Sequence, residues 1–305
     1  MGKEKVYSFF LFSVIMDFEV GSMPELPEVE TVKETLKLKV LHKKIKEVRV
    51  LYPKMIEYPS VDEFKRILKG KELENIERRG KWLLFSFGDY TLLGHLRMEG
   101  KFFLKNSKEE VNKHEHVIFE FTDGTELRYQ DTRKFGRMYL YKTEELYDRK
   151  PLNELGLEPW DDHLNTQYLL NKYKKKRLPI KSVLLDQSII TGIGNIYADE
   201  ILFLSHLNPL TPCMDLTQKD CENIIQNTQN VLERAIQMGG TTIRSYESSQ
   251  GVHGLFQNEL FVHGKEGENC PECGSEIVKI KVGGRGTYYC KKCQKVRKKG
   301  KKKND

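Results

Sequence analysis

The chain has 305 residues, 38% of them hydrophobic and 31% charged, with a formal net charge of +7. That length accommodates two domains with cores of their own, and no apolar run approaches the roughly 20 residues of a membrane-spanning helix. The positive excess is concentrated in residues 294–305, where seven Lys and Arg face one Asp, so the body is nearly neutral and overall charge does not by itself mark a nucleic-acid binder.

Residues 1–22 carry lysines and then an apolar run from Val6 to Met16. No small-x-small cleavage site follows, and Asp17 and Glu19 stand where small residues would be needed, so a signal peptide is rejected. Met23-Pro24 has the form of a gene start, because methionine is trimmed readily before a small residue. Trimming would leave Pro24 as a free secondary amine beside the Glu25 carboxylate, a carbonyl nucleophile of the Schiff-base type with a pKa far below that of lysine. The other reading is that Pro24 and Pro27 simply open a helix. Pro27 to Leu41 does read as one, with Val29, Val32, Leu36 and Val40 at spacings of three and four.

From Ile45 to Tyr141 the texture changes to short β runs. Residues 82–87 end at the turn signal Gly88-Asp89, and residues 117–121 at Asp123-Gly124. Antiparallel strands at this spacing predict a sandwich or barrel. After Pro151 and Pro159 the pattern is helical to about Gly239, with candidates at Thr166–Lys175, Lys181–Ile190, Ile196–Leu204 and Thr217–Met238. Thr191 to Asn195 forms a glycine turn ending in a helix N-cap residue, giving a helix-turn-helix-like unit. Its second N-terminus would aim N–H groups outward as a phosphate site. Residues 240–262 read as a loop and a strand, and the lysine tail as disordered.

Two basic clusters, Arg78-Arg79-Gly80-Lys81 and Lys172 to Lys181 with Lys174-Lys175-Lys176-Arg177, suit either phosphate or a solvated face. Cys270-Pro-Glu-Cys273 and Cys290-Lys-Lys-Cys293 have the spacing of a four-cysteine zinc site within a hairpin, Gly264 to Cys293. Thiolate ligation implies a reducing cytoplasm, with Cys213 and Cys221 as ordinary thiols.

Residues 24–30 (Pro-Glu-Leu-Pro-Glu-Val-Glu), 193–200 (Ile-Gly-Asn-Ile-Tyr-Ala-Asp-Glu) and 284–290 (Gly-Arg-Gly-Thr-Tyr-Tyr-Cys) together resemble bacterial formamidopyrimidine-DNA glycosylase, over roughly residues 23–295. Leu26 distinguishes this family from the sister endonuclease VIII family, which typically has Gly there and acts on oxidised pyrimidines. The resemblance implies removal of 8-oxoguanine and ring-opened purines from duplex DNA. Pro24 would attack C1′, displace the base and hold the sugar as an iminium, with Glu25 handling protons. β- and δ-elimination would then cleave the 3′ and 5′ phosphates, with Lys81 assigned to the first step and Arg285 to the second.

The target base must leave the stack for such chemistry. Met98, Arg133 and Phe135 match the family's intercalating triad: a thioether to fill the void, a ring to wedge the step and a guanidinium for the orphaned cytosine. Asn195 with Lys181 should grip phosphate, and Lys176, His95 and His114 are further DNA-contact candidates. Thr241 to Phe256 corresponds to a lid over the flipped base. The chain departs from the family at Thr132 and Lys134, and at His263, where tyrosine is usual; the last puts one phosphate contact in question.

The expectation is therefore an α+β chain in five parts. Residues 1–22 are a non-native upstream extension, and 23–153 an N-terminal helix plus antiparallel β-sandwich catalytic domain. Residues 154–263 are a helix-two-turn-helix domain with the lid, 264–295 a zinc finger with one structural ion held by Cys270, Cys273, Cys290 and Cys293, and 296–305 a basic tail. A cytoplasmic monomer acting on damaged double-stranded DNA, without a membrane partner, is expected. If residues 1–22 stay attached, Pro24 is an amide and the alternative is a catalytically silent lesion binder. A generic zinc-ribbon module would explain only the cysteines. Codons for Glu19 to Ser22 can encode a ribosome-binding sequence spaced suitably before Met23, which favours Met23 as the start.

Overall fold

A computed structural model describes residues 23–241 and 254–296 of the chain. The upstream segment, nearly all of the expected lid and the lysine tail lie outside the described residues. In chain order the N-terminal part runs α1 (Leu26–Val40), β1 (Ile45–Val50), β2 (Ile56–Tyr58), α2 (Val61–Leu68), β3 (Asn75–Arg79), β4 (Trp82–Ser86), β5 (Tyr90–His95), β6 (Lys101–Asn106), β7 (Glu115–Phe121), β8 (Thr125–Gln130) and β9 (Arg137–Lys142). The C-terminal part adds α3 (Thr166–Tyr173), α4 (Ile180–Leu184), α5 (Asn195–Leu204), α6 (Gln218–Gln237), β10 (Ile277–Val282) and β11 (Arg285–Cys290).

The expected sandwich forms from two sheets, ordered β1-β7-β8-β6 and β2-β9-β5-β4-β3. Pairing is antiparallel except between β2 and β9. Alternation along the strands buries Ile45, Phe85, Leu92, Phe102, Phe119 and Leu127 in one core. Helix α2 was not anticipated within the β-textured region. Ser60 caps it by accepting from the Glu63 N–H, and Phe64 and Leu68 anchor it to the sandwich.

Helices α3, α5 and α6 lie within two residues of their expected limits. The helix expected over Lys181–Ile190 is only Ile180–Leu184, because the Asp186 carboxylate draws the Ser188 N–H and hydroxyl into a turn. Instead of the strand anticipated within 240–262, the described part of that stretch holds a 3₁₀ turn, Phe256–Glu259.

α1 belongs to both halves. Val29, Val32, Leu36 and Val40 enter the sandwich core, while Leu26 is buried in the helical core and donates its N–H to Gly192 O at 3.1 Å. The junction is fastened by ions. Arg78 donates to Glu30 at 2.7 Å and Glu158 at 3.0 Å, Arg79 to Glu158 at 2.9 Å, and the Gly80 N–H to Glu158 at 2.6 Å. Two of the three cations in the first basic cluster are thus engaged internally rather than offered to phosphate.

Candidate active site

The start of α1 delivers Pro24 and Glu25, both buried, into the seam between the halves. Glu25 meets the N-terminus of α5: its carboxylate accepts from the N–H of Gly194 at 2.6 Å, Ile196 at 2.8 Å and Tyr197 at 3.4 Å. Gly194 permits this approach, since a Cβ there would lie 2.3 Å from Glu25 Cδ. The sequence expectation is corrected twice here. Asn195 is the first helical residue and Gly194 the N-cap, and the N–H groups expected to await phosphate hold a carboxylate from another element.

Burial pushes the Glu25 carboxyl above its usual range, opposed by Lys81 and the Ile196 N–H and reinforced by Glu28. Lys81 lies in the β3–β4 turn with only 8% of its surface exposed. Burial holds its pKa below the usual lysine range, against the pull of Glu25 and Glu28, and Arg285 and Arg97 push it the same way as burial. The acid and the amine are thereby drawn toward each other, the arrangement that acid–base chemistry near neutral pH requires. Gly80, at φ 57°, lets the turn lie against Thr191, whose Oγ1 would be 2.1 Å from any Cβ.

Glu28 is a buried residue to which the sequence assigned no role. It accepts from the Glu25 N–H at 3.0 Å, the Tyr197 hydroxyl at 2.6 Å and the Thr241 N–H at 2.8 Å. It therefore ties the first turn of α1 both to α5 and to the residue where the expected lid begins. Its place in the Pro-Glu-Leu-Pro-Glu motif was the available signal.

His95, at the end of β5, is buried edge-on to Trp82 with centroids 4.6 Å apart. Burial, then Arg97 and Lys81, keep it neutral with a pKa well below the usual histidine value. Its Nδ1 accepts from the Arg97 N–H at 2.9 Å, so the proton resides on Nε2. His114 is half-buried, its backbone in the turn before β7, while His116, unassigned from sequence, holds Asp131 O at 2.8 Å.

Lys181 is fully buried rather than open to phosphate. Its ammonium donates to Asn195 O at 2.7 Å and Asp199 Oδ1 at 2.6 Å. Asp199 also receives His263 Nδ1 at 2.7 Å and the Tyr288 N–H at 3.3 Å. Asn195 donates to Gly286 O at 3.0 Å, tying α5 to the hairpin that carries exposed Arg285. Lys176 is half-buried, 3.8 Å from Asp186.

On the other side, Asp131 accepts from the N–H of Arg133, Phe135 and Gly136, folding the 131–136 turn outward. Arg133 lies over the Phe135 ring at 4.8 Å and donates to Met98 Sδ at 3.1 Å. The three form one cluster, with Phe135 44% exposed instead of buried in the core. A large apolar ring left in water marks a contact surface.

The four sulfurs of Cys270, Cys273, Cys290 and Cys293 lie within 4.8 Å of one another, with 3.8 Å between Cys270 and Cys293 and 3.5 Å between Cys273 and Cys290. A tetrahedral zinc with Zn–S bonds of about 2.3 Å needs sulfurs about 3.8 Å apart. The cysteine set fits one structural zinc, which closes the β10–β11 hairpin behind Arg285.

A buried acid–amine pair at the junction of two domains, beside an exposed aromatic cluster and a zinc hairpin, defines an acid–base centre flanked by a contact surface. Comparison with known proteins agrees in every segment. Family profiles for the formamidopyrimidine-DNA glycosylase N-terminal domain match residues 23–138, for its H2TH domain residues 155–247, and for the zinc finger found in FPG and IleRS residues 267–296. Formamidopyrimidine-DNA glycosylase of Oceanobacillus iheyensis is 49% identical over 89% of this chain and 98% of its own length, and that of Bacillus cereus 50% over 89% and 99%. Lactococcus lactis Fpg bound to abasic-site DNA superposes with a TM-score of 0.83 at 39% identity, covering 89% of this chain and 99% of its own. The chain belongs to the formamidopyrimidine-DNA glycosylase family. It is a base-excision repair DNA glycosylase with AP lyase activity and a structural zinc finger, and it acts on damaged DNA.

Proposed function

We propose that this chain excises oxidised purines through Pro24. The observation that carries the reading is Glu25: a buried carboxyl with a raised pKa, adjoining Pro24 and held by three backbone N–H groups. The Pro24 nitrogen, once freed of Met23, bonds to C1′ as the N-glycosidic bond breaks and the base leaves with a proton; the C1′–O4′ bond then opens, O4′ taking up the proton that Glu25 relays from the proline nitrogen. The resulting iminium acidifies C2′, and Lys81 as a free amine takes that proton for β-elimination. Arg285 supports δ-elimination at the remaining phosphate. Lys81 and Arg285 act electrostatically on the same pocket, which supports this division.

Met98, Arg133 and Phe135 fill the space vacated by the flipped nucleotide. Asn195 and His95 contact DNA on the seam side, His114 and Lys176 at its margins, and Lys181 contributes through Asn195 and Asp199. The enzyme works as a cytoplasmic monomer. This chemistry requires Pro24 to be the first residue, consistent with residues 1–22 being upstream sequence; the zinc finger, 264–295, presents Arg285 to the two domains, 23–153 and 154–263.

Borohydride trapping on an 8-oxoguanine·cytosine duplex tests the proposal. Protein beginning at Pro24 crosslinks to DNA and the 305-residue form does not. Absence of a crosslink from both forms refutes Pro24 as the nucleophile. Equal trapping by the two assigns the amine to another residue.

A further inference from the structure

Arg97 lies two residues past the end of β5, between His95 and Met98, and it adopts a conformation that an arginine normally avoids. Its φ is +53°, in the left-handed region where glycine is at ease and a branched or long side chain is not. The conformation is fixed by its N–H, which donates to His95 Nδ1 at 2.9 Å. A glycine would satisfy the same bond at less cost, so the side chain is the part of Arg97 that needs a reason. No hydrogen bond or ion pair to a carboxylate engages the guanidinium among the described residues, although the residue is half-buried. Other arginines at the same seam, Arg78 and Arg79, are each paired with Glu158. The Arg97 charge acts on Lys81, on the neutral ring of His95 and on the Tyr139 hydroxyl, and Arg285 acts on Lys81 from the hairpin. Glu25 and Glu28 already act on Lys81, whereas no carboxylate is paired with Arg97 among the described residues, which leaves its charge for an anion that the substrate brings. Duplex DNA brings one negative charge per roughly 1.7 Å of axis.

We propose that Arg97 is a further DNA-contacting residue of this site, its guanidinium donating to a backbone phosphate beside the flipped nucleotide. The inference rests on the glycosylase reading above. It makes the segment from His95 to Met98 a single docking element, in which the neutral histidine fixes the backbone, Arg97 takes the phosphate and Met98 enters the helix. The guanidinium waits unpaired in the free enzyme because its partner is the substrate.

The test measures the affinity of the full chain for a duplex holding a tetrahydrofuran abasic analogue, by fluorescence anisotropy across a series of salt concentrations. Arg97→Gly removes the side chain while relieving the backbone, and Arg97→Lys keeps the charge. We expect Arg97→Gly to melt within about 2 °C of the parent and to bind roughly tenfold more weakly. Its dependence of log affinity on log salt should be shallower by about 0.9, the contribution of one phosphate contact. Arg97→Lys should recover the parent slope. An Arg97→Gly protein with the parent's salt slope overturns the proposal, whether or not its affinity changes. If Arg97→Gly fails to melt cooperatively, Arg97→Asn, which also tolerates a positive φ, is read by the same criterion. A parent chain that shows no preference for the lesion duplex over undamaged DNA counts against the glycosylase reading instead.

Discussion

The seam and the wedge sit in one protein and are built on opposite principles. In the seam, Glu25, Glu28 and Lys81 are buried, and the two carboxylates have backbone or hydroxyl partners. In the wedge, Phe135 and Arg133 are exposed and hold each other mainly through a ring face and a sulfur. The difference follows from what each meets in the proposed mechanism. A reacting carbon tolerates little misplacement, so the groups around it are fixed before substrate arrives. A gap in a base stack varies in shape, so soft and mobile groups suit it better.

Removing a function from the seam should therefore have the larger effects. Glu25→Gln replaces an oxygen that accepts from Gly194 or Ile196 with an amide donor. Base excision should fall by about 10²–10⁴ in single-turnover assays, with binding of an abasic analogue nearly retained. A rate within threefold of the parent would remove Glu25 from the chemistry. Glu158→Ala leaves Arg78, Arg79 and the Gly80 N–H without their shared acceptor. A loss of about 3 kcal/mol is expected, read as a fall of roughly 6–12 °C in melting temperature. Phe135→Ala should leave stability within about 0.5 kcal/mol while weakening lesion-duplex binding by about 1–3 kcal/mol. A large stability loss there would show that the wedge is core after all and erase the contrast.

The smallest effect is a displacement of pH limbs. Because the Glu25 carboxyl is raised, its protonated form persists above the usual carboxylate range, and base excision that needs this acid declines as pH rises through the raised value. Because Lys81 is lowered, its free amine appears below the usual lysine range, and elimination from a preformed abasic site increases as pH rises through that value. Rates of the two steps measured separately should bend in opposite directions. Parallel profiles would mean that one group controls both.

What was legible in the sequence was local. The Pro24-Glu25 motif, the cysteine spacing and the limits of α1, α5 and α6 each follow from a few neighbouring residues whose types have narrow physical meanings. The chain concealed what depends on distant partners. Arg78 and Arg79 look like a phosphate patch until Glu158, some eighty residues on, takes them. Lys181 looks like a surface cation until Asp199 buries it. α2 was hidden because eight residues carry too short a period to stand out against strands on either side, and only the Ser60 cap marked it. The helix over 181–190 was overextended because its apolar residues continue through a turn made by Asp186.

Glu25 and its donors are separated by 169 to 172 residues of chain. At a synthesis rate of 5–20 residues per second, roughly 8–34 s pass between the appearance of this carboxylate and of the helix end that seats it. This early-made carboxylate thus gains its native surroundings late. During translation this carboxylate stays unseated, and its three backbone donors arrive only when the helical half has been made and has closed on α1.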